Sequence, residues 1–146
     1  MKTKIISLIG LAITVTGILN LFENQLLLTN NALTIALQVM AFGLMIWSRV
    51  TFGARSFHAA ADTTAGGLVT KGPYKWLRHP IYAAIIYFTA GSLVASPQTE
   101  TVISFLLILT GLSVRMIMEE KSLRETYQQA YIDYSKTNKR IIPFVF

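Results

Sequence analysis

One polar stretch, residues 66–82, has the composition of a ligand-binding loop. Its glycines at 66, 67 and 72 permit positive φ and a close approach of the backbone to a ligand. Pro73 and Pro80 restrict the path and favour extended conformations at the residues before them, Gly72 and His79. The pattern predicts a constrained loop that presents arginine, histidine and tyrosine side chains. An alternative is simple anchoring, because Tyr, Trp, Arg and Lys also accumulate at membrane surfaces.

A second cluster surrounds Arg115 and Glu119, which are four residues apart on a predicted helix. At that spacing the two side chains share a face, where they can pair or converge on one ligand. Arg115 lies near the end of an apolar run, where an ionisable group is costly unless it has a partner or a function. The alternative is an arginine that extends to the membrane surface beside a helix-surface ion pair.

Further along, an aromatic stripe at helical spacing is predicted to pack on the membrane surface or on the loop: Leu123, Tyr127, Tyr131 and Tyr134.

The elements that position these residues are too apolar for a soluble domain. Of 146 residues, 53% are hydrophobic and 14% are charged, whereas about a quarter of a typical soluble domain is charged. A chain of this size is expected to form one domain, and its polar residues cannot cover so much apolar surface. The excess must therefore face lipid or a partner. The absence of cysteine excludes disulfides, thiolate metal sites and a cysteine nucleophile.

Four charge-poor stretches come close to the length of about 20 helical residues that crosses a bilayer. They are residues 5–22, 26–48, 81–95 and 101–118. The breaks after the first and third are rich in turn-forming residues and predict tight hairpins. The predicted fold is all-α: one polytopic integral-membrane domain with four transmembrane helices. A cytoplasmic loop at 50–80 and a cytoplasmic tail at 119–146, which contains a C-terminal helix, complete it.

The charges predict the orientation of this domain. All 13 Lys and Arg residues fall on one side of the four-span arrangement, and the two opposite turns carry Glu23 and Glu100 instead. The positive-inside rule then places both termini in the cytoplasm, with the helices in the plasma membrane. A cleaved signal peptide is the alternative for the first span, but no A-x-A site follows it. The net charge of +6 is explained by anionic lipid headgroups, so membrane lipids and not nucleic acid are the expected partners.

Several functional classes lack their sequence signature. Neither G-x-G-x-x-G nor a P-loop is present. His58 and His79 are the only histidines, and no carboxylate pair flanks them, so no metal site is expected. The spans have no acidic or basic residue at mid-membrane, which disfavours a proton-coupled transporter.

Together the motifs resemble the isoprenylcysteine carboxyl methyltransferase family, which belongs with the phospholipid N-methyltransferases among small integral-membrane methyltransferases. The matching elements are G-P-Y at 72–74, R-H-P-I-Y at 78–82, R-x-x-x-E-E-x-x-L at 115–123, Y-x-x-Y at 131–134 and R-x-I-P at 140–143. The resemblance covers about residues 66–144. Residues 5–48 are similar only as generic membrane helices.

The resemblance implies S-adenosylmethionine as methyl donor at the cytoplasmic face and a lipophilic acceptor that enters from the bilayer. By position, the implied donor-binding residues are Gly66, Gly67, Leu68, Val69, Tyr74, His79, Pro80, Ile81, Tyr82 and Glu119. Arg115, Glu119 and His79 are the implied catalytic residues, with Arg115 on the acceptor side.

This assignment is chemically reasonable. Glu119 can accept hydrogen bonds from the donor's ammonium or ribose, and His79 or loop N–H groups can hold its carboxylate. Methyl transfer to an acceptor that is already an anion depends mainly on positioning, and the planar guanidinium of Arg115 can orient a carboxylate or thiolate. An amine or thiol acceptor would need a base, for which His79 or Tyr82 is nearest.

The sequence departs from the family in three ways. Residues 59–61 are alanines where the family has polar residues, and Gly66 replaces a histidine of the eukaryotic carboxyl methyltransferases. The chain also has fewer spans than the isoprenylcysteine enzymes. The acceptor is therefore one of several compounds: a prenylcysteine carboxylate, an aminophospholipid, or a hydrophobic thiol or isoprenoid.

Two alternative functions are compatible with the sequence. One is an NADPH-dependent reductase similar to sterol and steroid reductases, and the other is a non-enzymatic membrane protein. The sequence makes no prediction of the oligomeric state.

Overall fold

The predicted all-α fold is confirmed for residues 2–53 and 67–143, which the computed structural model describes. Four α-helices follow in chain order: α1 at Lys2–Glu23, α2 at Ala32–Phe52, α3 at Pro80–Ala95 and α4 at Thr99–Thr137. A short 3-10 helix at Gly72–Lys75 precedes α3. Three helices, α1, α2 and α4, are long and apolar enough to cross a membrane, whereas α3 is apolar but has 16 residues. These lengths and compositions are those of an integral membrane protein.

Helix α2 begins later than predicted. The expected start at residue 26 is wrong, because the helix begins at Ala32 after a cap at Asn31. The Asn31 carboxamide oxygen accepts hydrogen bonds from the backbone N–H groups of Leu33 at 2.9 Å and Thr34 at 3.4 Å, as an N-cap residue does. The connection between α1 and α2 is therefore longer than a tight turn. Its side chains at Leu26 and Leu27 pack against the core.

Helix α4 joins two segments that the sequence suggested separately. It continues from the fourth apolar stretch to Thr137, so the predicted C-terminal helix is its extension. Non-helical angles at Gln128 (φ 43°, ψ −119°) break it once. As a result, one helix carries both the apolar contacts of the bundle and the carboxylates at 119 and 120.

Helices α1 and α4 pack closely through small residues. The buried positions of α1 recur every three or four residues: Ser7, Gly10, Thr14, Gly17 and Leu21. A Cβ atom at Gly10 would lie 2.8 Å from the carbonyl oxygen of Gly111, and one at Gly111 would lie 2.5 Å from that of Gly10. Only glycine permits this approach of two helix backbones, and such small-residue contacts are a common means of association inside membranes.

Helices α2 and α3 pack around a buried amide. The Gln38 Nε2 group donates to the carbonyl oxygen of Leu27 at 2.9 Å and to the hydroxyl of Ser92 at 3.2 Å. The Ser92 hydroxyl donates to the same Leu27 carbonyl at 2.9 Å. Gly91 faces α2, since a Cβ atom there would lie 3.0 Å from the Gln38 side chain. This pair of helices contacts the α1–α4 pair through α3 and α4.

Substituting Gly10 tests the α1–α4 contact. We expect Gly10→Ala to lower the free energy of unfolding by about 1–3 kcal/mol, because the methyl group overpacks a fixed backbone contact. The measurement is thermal unfolding of the purified protein in detergent. Gly43→Ala in α2 is the matched control, since a Cβ atom there meets nothing within 4 Å. Equal melting temperatures for the two variants would contradict the described packing.

Candidate functional site

The loop before α3 is held in place by its own sequence. Gly72 has a φ of 55°, and a Cβ atom there would lie 2.6 Å from the Thr51 hydroxyl, so glycine is required on both counts. Pro73 and Tyr74 follow and are buried. Pro80 occupies the first turn of α3, where its missing N–H costs nothing. This arrangement places His79 at the N-terminus of α3, where its side chain is buried.

Glu120 is buried, and its carboxylate is the centre of a charged cluster. Arg140 donates to it twice, from Nε to Oε1 and from Nη2 to Oε2, both at 3.0 Å. His79 Nε2 lies 3.2 Å from Oε1, and Arg78 Nη1 lies 3.3 Å from the same oxygen. Burial opposes ionisation of Glu120, but His79 and Arg140 more than offset it, so the pKa of this carboxyl lies well below its usual value.

The chain after α4 runs alongside the loop. Leu77 and Lys139 form an isolated parallel β-bridge. The N–H of Arg78 donates to the Lys139 carbonyl at 2.6 Å, and the N–H of His79 donates to the Arg140 carbonyl at 3.0 Å. The cluster around Glu120 therefore joins three parts of the chain: the loop, α4 and the segment that follows it.

Side chains add to this attachment. The Asn138 amide donates to the carbonyl oxygen of Tyr74 at 3.1 Å, and the Tyr134 hydroxyl donates to the same oxygen at 2.7 Å. Tyr131 is buried and lies with its ring 6.2 Å from that of Tyr134. These two members of the aromatic stripe thus pack toward the loop.

Glu119 occupies the other side of the His79 ring. Its Oε2 lies 3.7 Å from His79 Nδ1, and its side chain is 26% exposed, against 6% for Glu120. The imidazole is therefore held between two carboxylates, of which only Glu119 is accessible. Burial opposes ionisation of Glu119 as well, but hydrogen bonds to His79 and Tyr82 and the charge of Arg115 lower its pKa below the usual value.

His79 itself is stabilised as a cation. Burial lowers the affinity of an imidazole for a proton, yet the hydrogen bonds and charges of Glu119 and Glu120 exceed that effect, so the pKa of His79 is raised. Its ring also stacks on Tyr82, with 5.5 Å between the centroids and an angle of 10° between the planes.

Arg115 completes the group from within the bundle. Its Nε donates to the Tyr82 hydroxyl at 3.3 Å, and the guanidinium carbon lies 5.8 Å from the centroid of the same ring. Its Nη1 donates to the carbonyl oxygen of Ser7 in α1 at 3.4 Å. With 6% exposure, Arg115 is not an arginine that extends along the surface. From its position on α4 it contacts both α1 and α3.

Comparison with known proteins shows the family to which the chain belongs. A model of the isoprenylcysteine carboxyl methyltransferase family matches residues 30–125, which is more than half of the chain. The chain is a member of that family.

Three relatives have names of the same kind. Protein-S-isoprenylcysteine O-methyltransferase A of Arabidopsis thaliana is 26% identical over 167 residues, covering 92% of this chain and 85% of the relative. The Saccharomyces cerevisiae protein-S-isoprenylcysteine O-methyltransferase is 32% identical over 79 residues, covering 53% of this chain but 33% of the relative. Protein-S-isoprenylcysteine O-methyltransferase B of A. thaliana is 28% identical over 79 residues, covering 53% and 40%. No solved structure matches.

Family membership and apolar helices together identify an integral-membrane methyltransferase. The reductase and the non-enzymatic protein, which the sequence left as alternatives, gain no support from these matches. Among residues 2–53 and 67–143, no group of three or more His, Cys, Asp or Glu side chains is placed to hold a metal ion.

The structure brings together four of the residues that the family resemblance implied: His79, Tyr82, Arg115 and Glu119. Pro80 and Ile81 lie in the same first turn of α3, and Tyr74 lies in the loop that leads to it. Leu68 and Val69 are half-buried beside Gly67 (φ 81°) on the approach to this loop, and their part in donor binding stays a prediction. Gly66, like Ala59–Ala61, lies outside the described residues.

Four residues that hold the site together were not assigned a role from the sequence: Arg78, Glu120, Asn138 and Arg140. Glu120 and Arg140 belong to the family-like motifs, but nothing in the motifs separated the partly exposed carboxylate of Glu119 from the buried carboxylate of Glu120 that holds the loop. Arg140 and Asn138 act across 20 and 64 positions of the chain. Local spacing does not report contacts of that kind.

Proposed function

We propose that this methyltransferase uses S-adenosylmethionine to methylate the carboxylate of a prenylated cysteine. The observation that carries the proposal is the placement of two charged groups beside the stacked rings of His79 and Tyr82. The accessible carboxylate of Glu119 lies next to His79, and the buried guanidinium of Arg115 lies next to Tyr82. The printed names of the three relatives specify an isoprenylcysteine O-methyltransferase, which supports this acceptor for the present chain.

The charges of the site fit the donor. When bound, S-adenosylmethionine supplies a methyl group on a positively charged sulfur, together with an ammonium and a carboxylate. Glu119 is ionised and partly exposed, so it can accept hydrogen bonds from the ammonium or from ribose hydroxyls. The N–H groups of the loop would hold the donor carboxylate, with Tyr74, Tyr82 and residues 66–69 around the remainder. His79, whose two ring nitrogens face Glu119 and Glu120, would hold Glu119 in position for the donor.

Arg115 would hold the acceptor. A guanidinium offers a planar fork to a carboxylate, and Arg115 is placed on the Tyr82 side of the site, between α1 and α3. One acceptor oxygen then forms the new O–C bond while the methyl C–S bond breaks and its electron pair stays on sulfur. No proton moves in this step, so catalysis consists of alignment and charge placement.

The contacts of His79 favour a carboxylate acceptor over an amine or a thiol. An amine or thiol must lose a proton before or during transfer, and the imidazole is poorly placed to accept it because its Nδ1 faces Glu119 and its Nε2 faces Glu120. A prenylcysteine carboxylate is already an anion near neutral pH. An aminophospholipid or a free thiol is therefore the weaker candidate for this site.

Transfer to a prenylated cysteine tests the proposal. With radiolabelled donor and N-acetyl-S-farnesylcysteine, we expect a base-labile methyl ester. Glu119→Gln should raise the KM for the donor by about 10–100-fold, as expected when a charge-assisted hydrogen bond is lost. Arg115→Ala should lower kcat by a similar factor while the donor KM changes little.

Two outcomes would contradict the assignment. Label that appears in phosphatidylethanolamine or in a thioether, and not in an ester, would show that the acceptor is not a prenylcysteine carboxylate. Unchanged donor KM in Glu119→Gln together with unchanged kcat in Arg115→Ala would move the site elsewhere. Lys136→Gln is a suitable control, because its side chain is exposed and paired only locally with Asp133.

The proposed membrane arrangement has four crossings in one domain, with both termini and the site at the cytoplasmic face of the plasma membrane. The side on which all 13 basic residues lie supports this orientation. Helix α3 spans only about 24 Å at roughly 1.5 Å per residue. A small local thinning of the bilayer or a contribution from its flanking residues would complete the crossing. Lipid could then reach the site directly, which suits an acceptor with a prenyl chain.

Cysteine labelling tests this topology, because the natural chain has no cysteine. A Gln98→Cys variant should react with an impermeant maleimide added outside intact cells, whereas Lys121→Cys should react only after permeabilisation. Both positions are exposed, so their different access would come from the membrane alone. Labelling of both residues from the same side would exclude the four-crossing arrangement.

A further inference from the structure

We infer that Arg140 is a positioning residue for the donor site and acts on His79 through Glu120. This inference rests on the proposed function, since it assumes that Glu119, which lies 3.7 Å from His79 Nδ1, binds the donor. Arg140 lies outside the residues that match the family model, and it is 20 residues away from its partner in the chain. The segment Asn138–Arg140, which we name the C-terminal strap, is thereby part of the site.

The first support is the geometry at Glu120. Arg140 uses Nε for one carboxylate oxygen and Nη2 for the other, both at 3.0 Å. This two-point contact fixes the plane of the carboxylate as well as its position. The oxygen that accepts from Arg140 Nε also lies 3.2 Å from His79 Nε2. By orienting the Glu120 carboxylate, Arg140 therefore sets the position of the oxygen that the imidazole contacts.

The second support is the backbone of the same residue. The carbonyl oxygen of Arg140 accepts the N–H of His79 at 3.0 Å. Arg140 therefore holds His79 twice, once through the main chain and once through the carboxylate of Glu120. Neither contact depends on α3, whose first turn begins at the next residue, Pro80.

The third support comes from the other residues of the strap. Asn138 donates to the carbonyl of Tyr74 at 3.1 Å and also to that of Lys75, and Lys139 donates its N–H to the Trp76 carbonyl at 3.2 Å. The strap thus fixes two of the predicted donor contacts of the loop, Tyr74 and His79. Ile141, the residue after the strap, accepts a hydrogen bond at its carbonyl from the Tyr87 hydroxyl of α3.

Removing the Arg140 side chain should leave Glu120 with two competing partners. Arg78 Nη1 lies 3.3 Å and His79 Nε2 lies 3.2 Å from the same oxygen. Without the two-point contact, the carboxylate can rotate toward Arg78 and leave the imidazole. A lysine at position 140 would restore the charge but only one donor, because an ammonium cannot span both oxygens.

The experiment measures the affinity of the purified full chain for S-adenosylhomocysteine by calorimetry, at a temperature where each variant is folded. We expect Arg140→Gln to raise the dissociation constant by about tenfold and Arg140→Lys to raise it less. Lys136→Gln, which removes one positive charge from an exposed ion pair on α4, should stay within about twofold of the wild-type value.

A double-substitution cycle separates positioning from general stability. If Arg140 acts through Glu120, the variant carrying both Arg140→Gln and Glu120→Gln should bind no more weakly than Glu120→Gln alone. A purely structural arginine would lower the melting temperature while the folded protein bound with unchanged affinity. If Arg140→Gln does not fold, Arg140→Lys provides the same comparison.

The outcomes also separate this inference from the proposed function. Wild-type protein that does not bind S-adenosylhomocysteine would contradict the proposed donor, and the role of Arg140 would fall with it. Wild-type binding combined with equal affinity in folded Arg140→Gln or Arg140→Lys would overturn the positioning role alone. Additive effects in the double variant would show that Arg140 does not act through Glu120.

Discussion

The site depends on one buried carboxylate. Burying a charge is costly unless it is paired and its hydrogen-bonding capacity is filled, and Glu120 meets this condition with Arg78, His79 and Arg140. These partners come from the loop before α3 and from the strap after α4. A single ionised group on α4 therefore brings together segments that are distant in the chain. Loss of any one partner would leave a buried carboxylate incompletely paired, which is strongly unfavourable. All three partners are therefore needed together.

The same constraint gives the two adjacent glutamates different roles. Glu120 is enclosed and filled by its partners, while Glu119 remains partly exposed on the other face of the imidazole. His79 then bridges a buried carboxylate and a partly exposed one that is proposed to face the donor, and its contacts lower the pKa of both carboxyl groups. Tyr82 and Arg115 extend this arrangement toward α1. Donor and acceptor groups of opposite charge would thus meet along one line of side chains.

The separation along the chain between interacting residues decides which features of the fold and the site could be predicted from the sequence. The helices were predictable because long apolar runs report lipid-facing segments directly, and the motifs indicated His79, Tyr82, Arg115 and Glu119 through their family resemblance. The start of α2 was missed because the carboxamide of Asn31 caps the helix within an otherwise apolar stretch. The roles of Glu120 and Arg140, and the contact of α1 with Arg115, depend on tertiary packing. Residues 20 or more positions apart meet there, and no periodicity records such contacts.

The protonation of His79 is the most direct test of this account. In a His58→Gln chain without a histidine tag, His79 is the only imidazole, so its ¹⁵N resonances can be followed through a pH titration. Two flanking carboxylates favour the imidazolium, so the ring should titrate above the ordinary value of about 6.5. The stabilisation that this raised pKa contributes is fully present below about pH 6.5 and is lost as the pH rises through the pKa of the folded state. A His79 that titrates at or below 6.5 would contradict the carboxylate-bound imidazole on which the proposed site depends.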